Sequence, residues 1–177
     1  LMVLIPALPL AAALLVGLTG KWLLREKSHL PVIAALGGSF LLSIALLFAV
    51  RELAETKQLD VGKQAAIGFE KIHSLWTWVD VTDAYEPANP KPVDAPAKAD
   101  FNVEIVLRAD PLTSIMLSMV LFISTLVAIY ASGYMHGDSG YWRFFAYVAL
   151  FVFSMTMLVS VSNFALLYVF WEAVGVC

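Results

Sequence analysis

Apolar residues occur in long runs along the chain, separated by short polar connections and one long polar segment. The first two runs, 1–20 and 28–50, contain no Asp, Glu, Lys or Arg. A helix that rises 1.5 Å per residue needs about 20 residues to cross ~30 Å of hydrocarbon, so each run predicts a membrane-spanning helix. A signal peptide is the alternative for the first run. It is disfavoured because the basic residues follow the apolar stretch instead of preceding it.

Two further charge-free runs, 111–135 and 144–171, lie in the second half of the chain. Asp110 and Pro111 suit the start of a helix and predict that the third span begins there. A single helix over the 28 residues of 144–171 would be about 42 Å long, which exceeds one comfortable span. The polar group 160–163 divides this run and predicts a fourth span at 144–160 and a fifth that starts near Asn163. We expect the chain to end at Cys177 inside this last span.

The polar segment 51–110 holds 18 of the 25 Asp, Glu, Lys and Arg residues. Apolar and polar residues alternate over 101–107, which predicts a strand with one buried face, and 74–80 predicts a second short strand. The residues expected on the buried face are Phe101, Val103, Ile105 and Leu107. A linker between the strands, rich in Ala, Asp and Pro, is expected to be extended and mobile. The segment is therefore interpreted as an insert outside the membrane that carries a small β-hairpin.

Basic residues in the first connection set the expected orientation. Lys21, Arg25 and Lys27 lie between the first two spans, and such clusters stay on the cytoplasmic side of membranes. The N-terminus and the insert 51–110 are then periplasmic, with a bacterial plasma membrane as the default location. The predicted fold class is an all-α polytopic membrane protein with about five transmembrane helices, the last truncated, and an extramembrane β-hairpin. Its expected segments are the first two spans (1–50), the insert (51–110), the third and fourth spans (111–162) and the start of a further domain (163–177).

Composition excludes several other classes of function. The net charge is −3 and no basic patch indicates a nucleic-acid partner. One cysteine, Cys177, gives neither a disulfide framework nor a metal-ligand set. The three histidines are far apart and are interpreted as interface or loop residues. No Gly-rich dinucleotide motif occurs, so we expect no cofactor and no metal in this chain, whose surroundings are the lipid bilayer.

Glu172 is the candidate residue for ion or proton transfer. Apart from tyrosines and Cys177, it is the only ionisable side chain in the predicted spans. It follows Asn163 by nine residues, about 14 Å into the membrane. An acidic residue at that depth costs roughly 2.5–3.5 kcal/mol and usually handles ions or protons. We therefore predict a proton relay at Glu172, with Tyr168, one turn earlier, as a possible neighbour. Two alternatives are a glutamate at the membrane interface and a neutral, hydrogen-bonded structural glutamate.

Several motifs resemble the N-terminal part of complex I chain 5 (subunit L of NADH-quinone oxidoreductase), a family of antiporter-like membrane subunits. The similar segments are Leu-Arg-Ala-Asp-Pro-Leu-Thr-Ser (107–114), Ile-Tyr-Ala-Ser-Gly-Tyr-Met (129–135), Arg-Phe-Phe-Ala-Tyr (143–147), Phe-Ser-Met-Thr-Met-Leu-Val (153–159) and Asn-Phe-Ala-Leu-Leu-Tyr-Val-Phe-Trp-Glu-Ala-Val-Gly-Val-Cys (163–177). They cover 101–177, and the first two spans fit the family more loosely. Ser162 departs from the pattern, since many relatives have an acidic residue there.

The resemblance implies an antiporter-like fold and a proton channel that begins at 163–177, with the family's fifth-helix glutamate at Glu172. It also implies a respiratory-chain translocase that couples NADH oxidation and quinone reduction to proton transport. The redox sites would lie in other subunits of the complex. One alternative is a subunit of a multisubunit cation/proton antiporter or of an inorganic-carbon uptake complex. Another is a membrane scaffold without transport activity.

Overall fold

The computed structural model of the chain describes residues 1–61, 71–85 and 99–177. Its helices and strands, in chain order, are α1 (Leu4–Thr19), α2 (His29–Val61), β1 (Lys71–Tyr85), β2 (Ala99–Ala109), α3 (Pro111–Tyr134), α4 (Tyr141–Ser160) and α5 (Phe164–Val176). Helices α2, α3 and α4 each contain a stretch that is long and apolar enough to cross a membrane, and so does α1 together with the turn that follows it (Leu4–Leu24), whereas α5 is shorter. The predicted fold class, a polytopic helical membrane protein with a β-hairpin, is confirmed. The proline-rich linker predicted between the strands lies outside the described residues.

Helices α1 to α4 form a closed bundle in which α1 contacts α2 and α4, and α3 completes the ring between α2 and α4. The largest fully buried side chains of its core are Ile5, Leu36, Leu117, Leu121 and Phe145. Ser39 on α2 is also buried, and its hydroxyl donates to the carbonyl of Ile5 on α1 (2.9 Å). Such small polar residues let helices approach closely inside a bilayer. Less than half of each span is buried inside the chain, which leaves the remaining surface for lipid or for other protein.

Helix α2 continues well past the point where charged residues begin. The sequence predicts that the insert starts at Arg51, yet α2 extends to Val61, and only its part up to Leu53 has the composition of a membrane span. Residue types explain the continuation, because Glu, Leu, Ala and Lys favour a helix and neither Gly nor Pro occurs between Val50 and Gly62. The charged residues therefore end the membrane-spanning part of α2 at Leu53, while the helix itself continues to Val61.

The predicted hairpin is present, with β1 and β2 paired antiparallel. Trp76 lies opposite Ile105, as expected from the proposed pairing of the two segments. The register shifts at three places, between 74 and 76, 77 and 79, and 81 and 85. Leu107 is fully buried, as the alternation predicts, whereas Val103 and Ile105 are only partly buried, to the same class as Glu104 and Val106 on the other face. The side chain of Phe101 lies outside the described part of the structure.

The hairpin docks on the connection between α4 and α5. Leu107 forms an isolated antiparallel bridge with Val161, and the backbone N–H of Ser162 donates to the carbonyl of Val106 (3.4 Å). The side chain of Leu107 packs with Met157 and Leu166. The hairpin, the α4–α5 connection and the start of α3 therefore share one end of the bundle, here called the hairpin end.

The opposite end holds the two short connections that carry the basic residues. A π-helical turn (Gly20–Leu24) and a 3₁₀ turn (Arg25–Lys27) join α1 to α2. The turn between α3 and α4 contacts this region, and Lys21 and Asp138 line the same cleft. We call this the basic end. The hairpin and the basic cluster are thus separated by the length of the bundle.

Candidate functional site

The α5 segment starts where the polar group 160–163 predicts a fifth span. Asn163 has an extended backbone, and its side-chain oxygen accepts a hydrogen bond from the backbone N–H of Ala165 (2.8 Å). This cap satisfies one of the N–H groups that the first turn of a helix leaves without a partner. The chain therefore turns at Ser162 and Asn163 and re-enters the apolar region as α5.

One face of α5 packs against α4. Leu166 is buried, and Phe170, one turn later, meets Phe153 of α4 edge to face with ring centroids 5.8 Å apart. Residues 166, 170, 173 and 174 follow helical spacing and are less exposed than their neighbours, which marks this face. The contact fixes the rotation of α5 and so determines which side chains point away from the bundle.

Glu172 lies on the face of α5 that points away from α4, and its side chain is exposed. Tyr168 shares this face one turn earlier and is also exposed. Within the described residues, no hydrogen bond joins the two side chains and no basic side chain pairs with Glu172. It lies nine residues after the cap, about 14 Å along the axis of α5. The roles assigned to Glu172 and Tyr168 stay predictions.

A second polar cluster, which the sequence does not indicate, lies at the basic end. The hydroxyl of Tyr141 is 2.8 Å from Nδ1 of His29, and the same nitrogen is 3.0 Å from the carbonyl oxygen of Glu26. Tyr141 and His29 are 112 positions apart, so no local pattern could have predicted their contact. The hydrogen bond holds the first connection against the start of α4. Within the described ranges, no group of three His, Cys, Asp or Glu side chains could hold a metal ion.

The apolar helices and the position of Glu172 together indicate the general class to which the protein belongs. The chain is an integral membrane protein whose spans form a bundle, with a single acidic side chain on its fifth apolar helix. Intramembrane acidic residues mark ion or proton pathways by default.

Comparison with known proteins shows which proteins the chain is similar to. Residues 97–145 match the family described as "NADH-Ubiquinone oxidoreductase (complex I), chain 5 N-terminus". The chain is 36% identical over 173 residues to the chloroplastic NAD(P)H-quinone oxidoreductase subunit 5 of Agrostis stolonifera and of Hordeum vulgare. It is 37% identical over 174 residues to that of Brachypodium distachyon. These alignments cover 98% of this chain and 20% of each relative, so the chain spans about a fifth of the length of the relatives it matches. The resemblance drawn from the motifs is confirmed: residues 97–145 match the chain 5 N-terminal region, and almost the whole chain is similar to NAD(P)H-quinone oxidoreductase subunit 5.

Proposed function

We propose that this chain is part of a proton-translocating membrane subunit of an NADH-quinone oxidoreductase. The observation that carries the proposal is the match of 97–145 to the chain 5 N-terminus, extended by similarity to NAD(P)H-quinone oxidoreductase subunits over almost the whole chain. The enzyme would couple NADH oxidation and quinone reduction to proton transport. This chain would contribute membrane helices to it, and the redox cofactors would be held by partner subunits.

Within this function, Glu172 is proposed to relay protons. A carboxyl group in an apolar medium favours its protonated form, and a nearby cation favours the carboxylate. A cation that approaches and withdraws would therefore make Glu172 release and take up a proton. Because α4 leaves the Glu172 side of α5 uncovered in this chain, we propose that another helix of the complete subunit or a neighbouring subunit covers it and supplies the cation.

The proposed location is a bacterial plasma membrane, with the basic end in the cytoplasm. The support is the positive-inside rule applied to Lys21 and Lys27, which lie at the basic end. The hairpin end would then be periplasmic. Helix α5 begins at the hairpin end, so Glu172 would be reached from the periplasmic surface after about 14 Å of helix.

The test replaces Glu172 in the complete enzyme. Glu172→Gln keeps the size and the hydrogen-bonding capacity of the side chain but removes its titration. We expect the rate of NADH-driven proton pumping to fall roughly a hundredfold or to background, since a positioned proton-transfer group contributes about 10² or more to the rate. Glu172→Asp, which still titrates but reaches less far, is expected to lose less. Pumping is measured with a pH-sensitive dye in inverted membrane vesicles, alongside subunit content.

Asp80→Asn is the matched control, because it removes one exposed carboxylate from β1, far from the spans. We expect it to pump at the wild-type rate. Wild-type pumping in the Glu172→Gln enzyme would contradict the relay and leave a structural glutamate. Cation/proton exchange that needs no NADH would favour the antiporter alternative, and normal activity after loss of the whole subunit would favour a scaffold.

A further inference from the structure

A cleft of about 400 Å³ opens at the basic end of the bundle. Its charged lining comes from three separate segments: Lys21 and Glu26 from the first connection, Asp138 from the α3–α4 turn, and Arg143 from the first turn of α4. Trp142 provides an aromatic wall. Neither the fold nor the proposed proton relay accounts for this cleft, because Glu172 lies on α5 and contributes nothing to it.

Close packing on both sides gives the cleft a fixed shape. A Cβ atom on Gly20 would lie 3.0 Å from Cβ of Trp142, so the first connection rests directly on α4 at this point. The hydrogen bond between His29 and Tyr141 ties the other side of the connection to the same helix. The backbone N–H of Gly140 donates to Asp138 (2.6 Å), which holds the α3–α4 turn in place.

The charges in the cleft occur as two cations and two anions. Within the part of the chain that the structure describes, neither Lys21 nor Arg143 makes an ion pair, and the Arg143 guanidinium lies 5.3 Å from the ring centroid of Trp142. Glu26 and Asp138 bring two carboxylates to the same cleft. A ligand with a phosphate and an ammonium group, a few bonds apart, matches this pattern of charge.

The position of the cleft relative to the spans favours a lipid as the molecule that would fit this pattern of charge. Lys21 lies in the π-helical turn Gly20–Leu24, which forms the last part of the first span, and Arg143 lies in the first turn of α4. The cleft is therefore near the level where these two spans leave the hydrocarbon. Leu14 and Leu18 are exposed on α1 and precede Lys21 by seven and three residues, which places all three on one helix face. An acyl chain along this face would end at the cleft. Trp22 is exposed beside it, and tryptophan is enriched at membrane interfaces.

We propose that the cleft binds the headgroup of a glycerophospholipid that carries a primary ammonium, that is, a phosphatidylethanolamine. Lys21 and Arg143 bind its phosphate, and Glu26 and Asp138 accept hydrogen bonds from its ammonium. One acyl chain lies along Leu14 and Leu18. A trimethylated headgroup has the same charges but no N–H donors, so phosphatidylcholine binds less well.

The experiment uses the complete enzyme in mixed micelles with photoactivatable phosphatidylethanolamine or phosphatidylcholine of identical acyl chains. Cross-linking to peptides of this chain is quantified by mass spectrometry. We expect more labelling by the ethanolamine lipid, and about a tenfold loss or more for each of Lys21→Gln and Arg143→Gln, the effect of removing one hydrogen bond between charged groups. Glu26→Gln is expected to reduce the preference for the ethanolamine lipid to about one.

Lys27→Gln is the matched control, because it removes one positive charge from the same connection without touching the cleft. Its labelling is expected to stay within about twofold of the wild type, on the argument that distant exposed charges are screened. Equal labelling by the two lipids in the wild type, or an equal loss in Lys27→Gln, would overturn the proposal. Competition by soluble phosphoethanolamine as strong as by the lipid would also overturn it, since the acyl chain would then contribute nothing.

Discussion

Asp110 and Asn163 are the residues at which two helices begin, and both positions can be predicted from the sequence. Each follows an extended segment, each precedes an apolar run, and each accepts a hydrogen bond from a backbone N–H in the helix it begins. Capping depends on a few consecutive residues, so the sequence alone indicates it. Contacts between distant residues are different: no local pattern indicates that His29 meets Tyr141 or that Gly20 lies against Trp142.

The contact between Gly20 and Trp142 can be tested by a substitution at Gly20. We expect Gly20→Ala to destabilise the protein by about 1 kcal/mol or more, because the added methyl group meets a Cβ atom that cannot rotate away. Gly17→Ala is the control, because Gly17 lies in α1 three residues before Gly20 and nothing comes within 4 Å of the added atom. It is expected to stabilise the protein slightly through helix propensity.

The stability of both variants is measured as the midpoint of thermal unfolding of the purified protein in detergent, followed by circular dichroism. A midpoint for Gly20→Ala equal to or above that of Gly17→Ala would show that α1 and α4 are not packed this closely.

At the scale of elements, hydrophobic runs locate the spans, and alternation locates β2. Two features of the elements cannot be predicted from such patterns. Helix α2 extends past its span, because good helix formers continue after the first charges. Strand β1 is longer than the predicted 74–80 and contains register shifts, and a shift of one residue reverses the faces that alternation relies on. The docking of β2 on the α4–α5 connection is a tertiary contact that no single segment encodes.

Leu107 is the residue through which β2 contacts this connection, and its truncation tests the docking. Leu107→Ala removes a fully buried side chain, a change that typically costs 2–5 kcal/mol. We expect hydrogen exchange at the amide of Ser162, which donates to Val106, to accelerate about thirtyfold or more, the equivalent of 2 kcal/mol.

Ile72→Ala serves as the control for this prediction, because the side chain of Ile72 is 60% exposed on the same hairpin. In the Ile72→Ala variant, the rate of hydrogen exchange at the Ser162 amide is expected to stay within about twofold of the wild type. Similar acceleration in both variants would mean that the hairpin as a whole, and not the buried Leu107, protects the connection.

For the whole molecule, the sequence predicts five spans with the last one truncated, and the described residues contain four helices of spanning length and the shorter α5. The structure adds how these helices assemble. The bundle separates the hairpin end from the basic end, and α5 turns Glu172 away from α4. The distance of Glu172 from the start of α5 can be predicted, because Asn163 marks where the helix begins. Its exposed orientation cannot, because the rotation of α5 is set by the contacts of Leu166 and Phe170.

The transmembrane arrangement is the claim on which the proton relay and the lipid cleft both depend, and cysteine labelling tests it most directly. In a background without other cysteines, Thr77→Cys places a thiol on the exposed surface of β1, and Ser139→Cys places one in the exposed turn between α3 and α4. We expect a membrane-impermeant maleimide added to intact cells to label Thr77→Cys. Ser139→Cys is expected to react only after the inner face is opened. Labelling of both thiols from the same side would contradict the arrangement, and the reverse pattern would contradict the orientation.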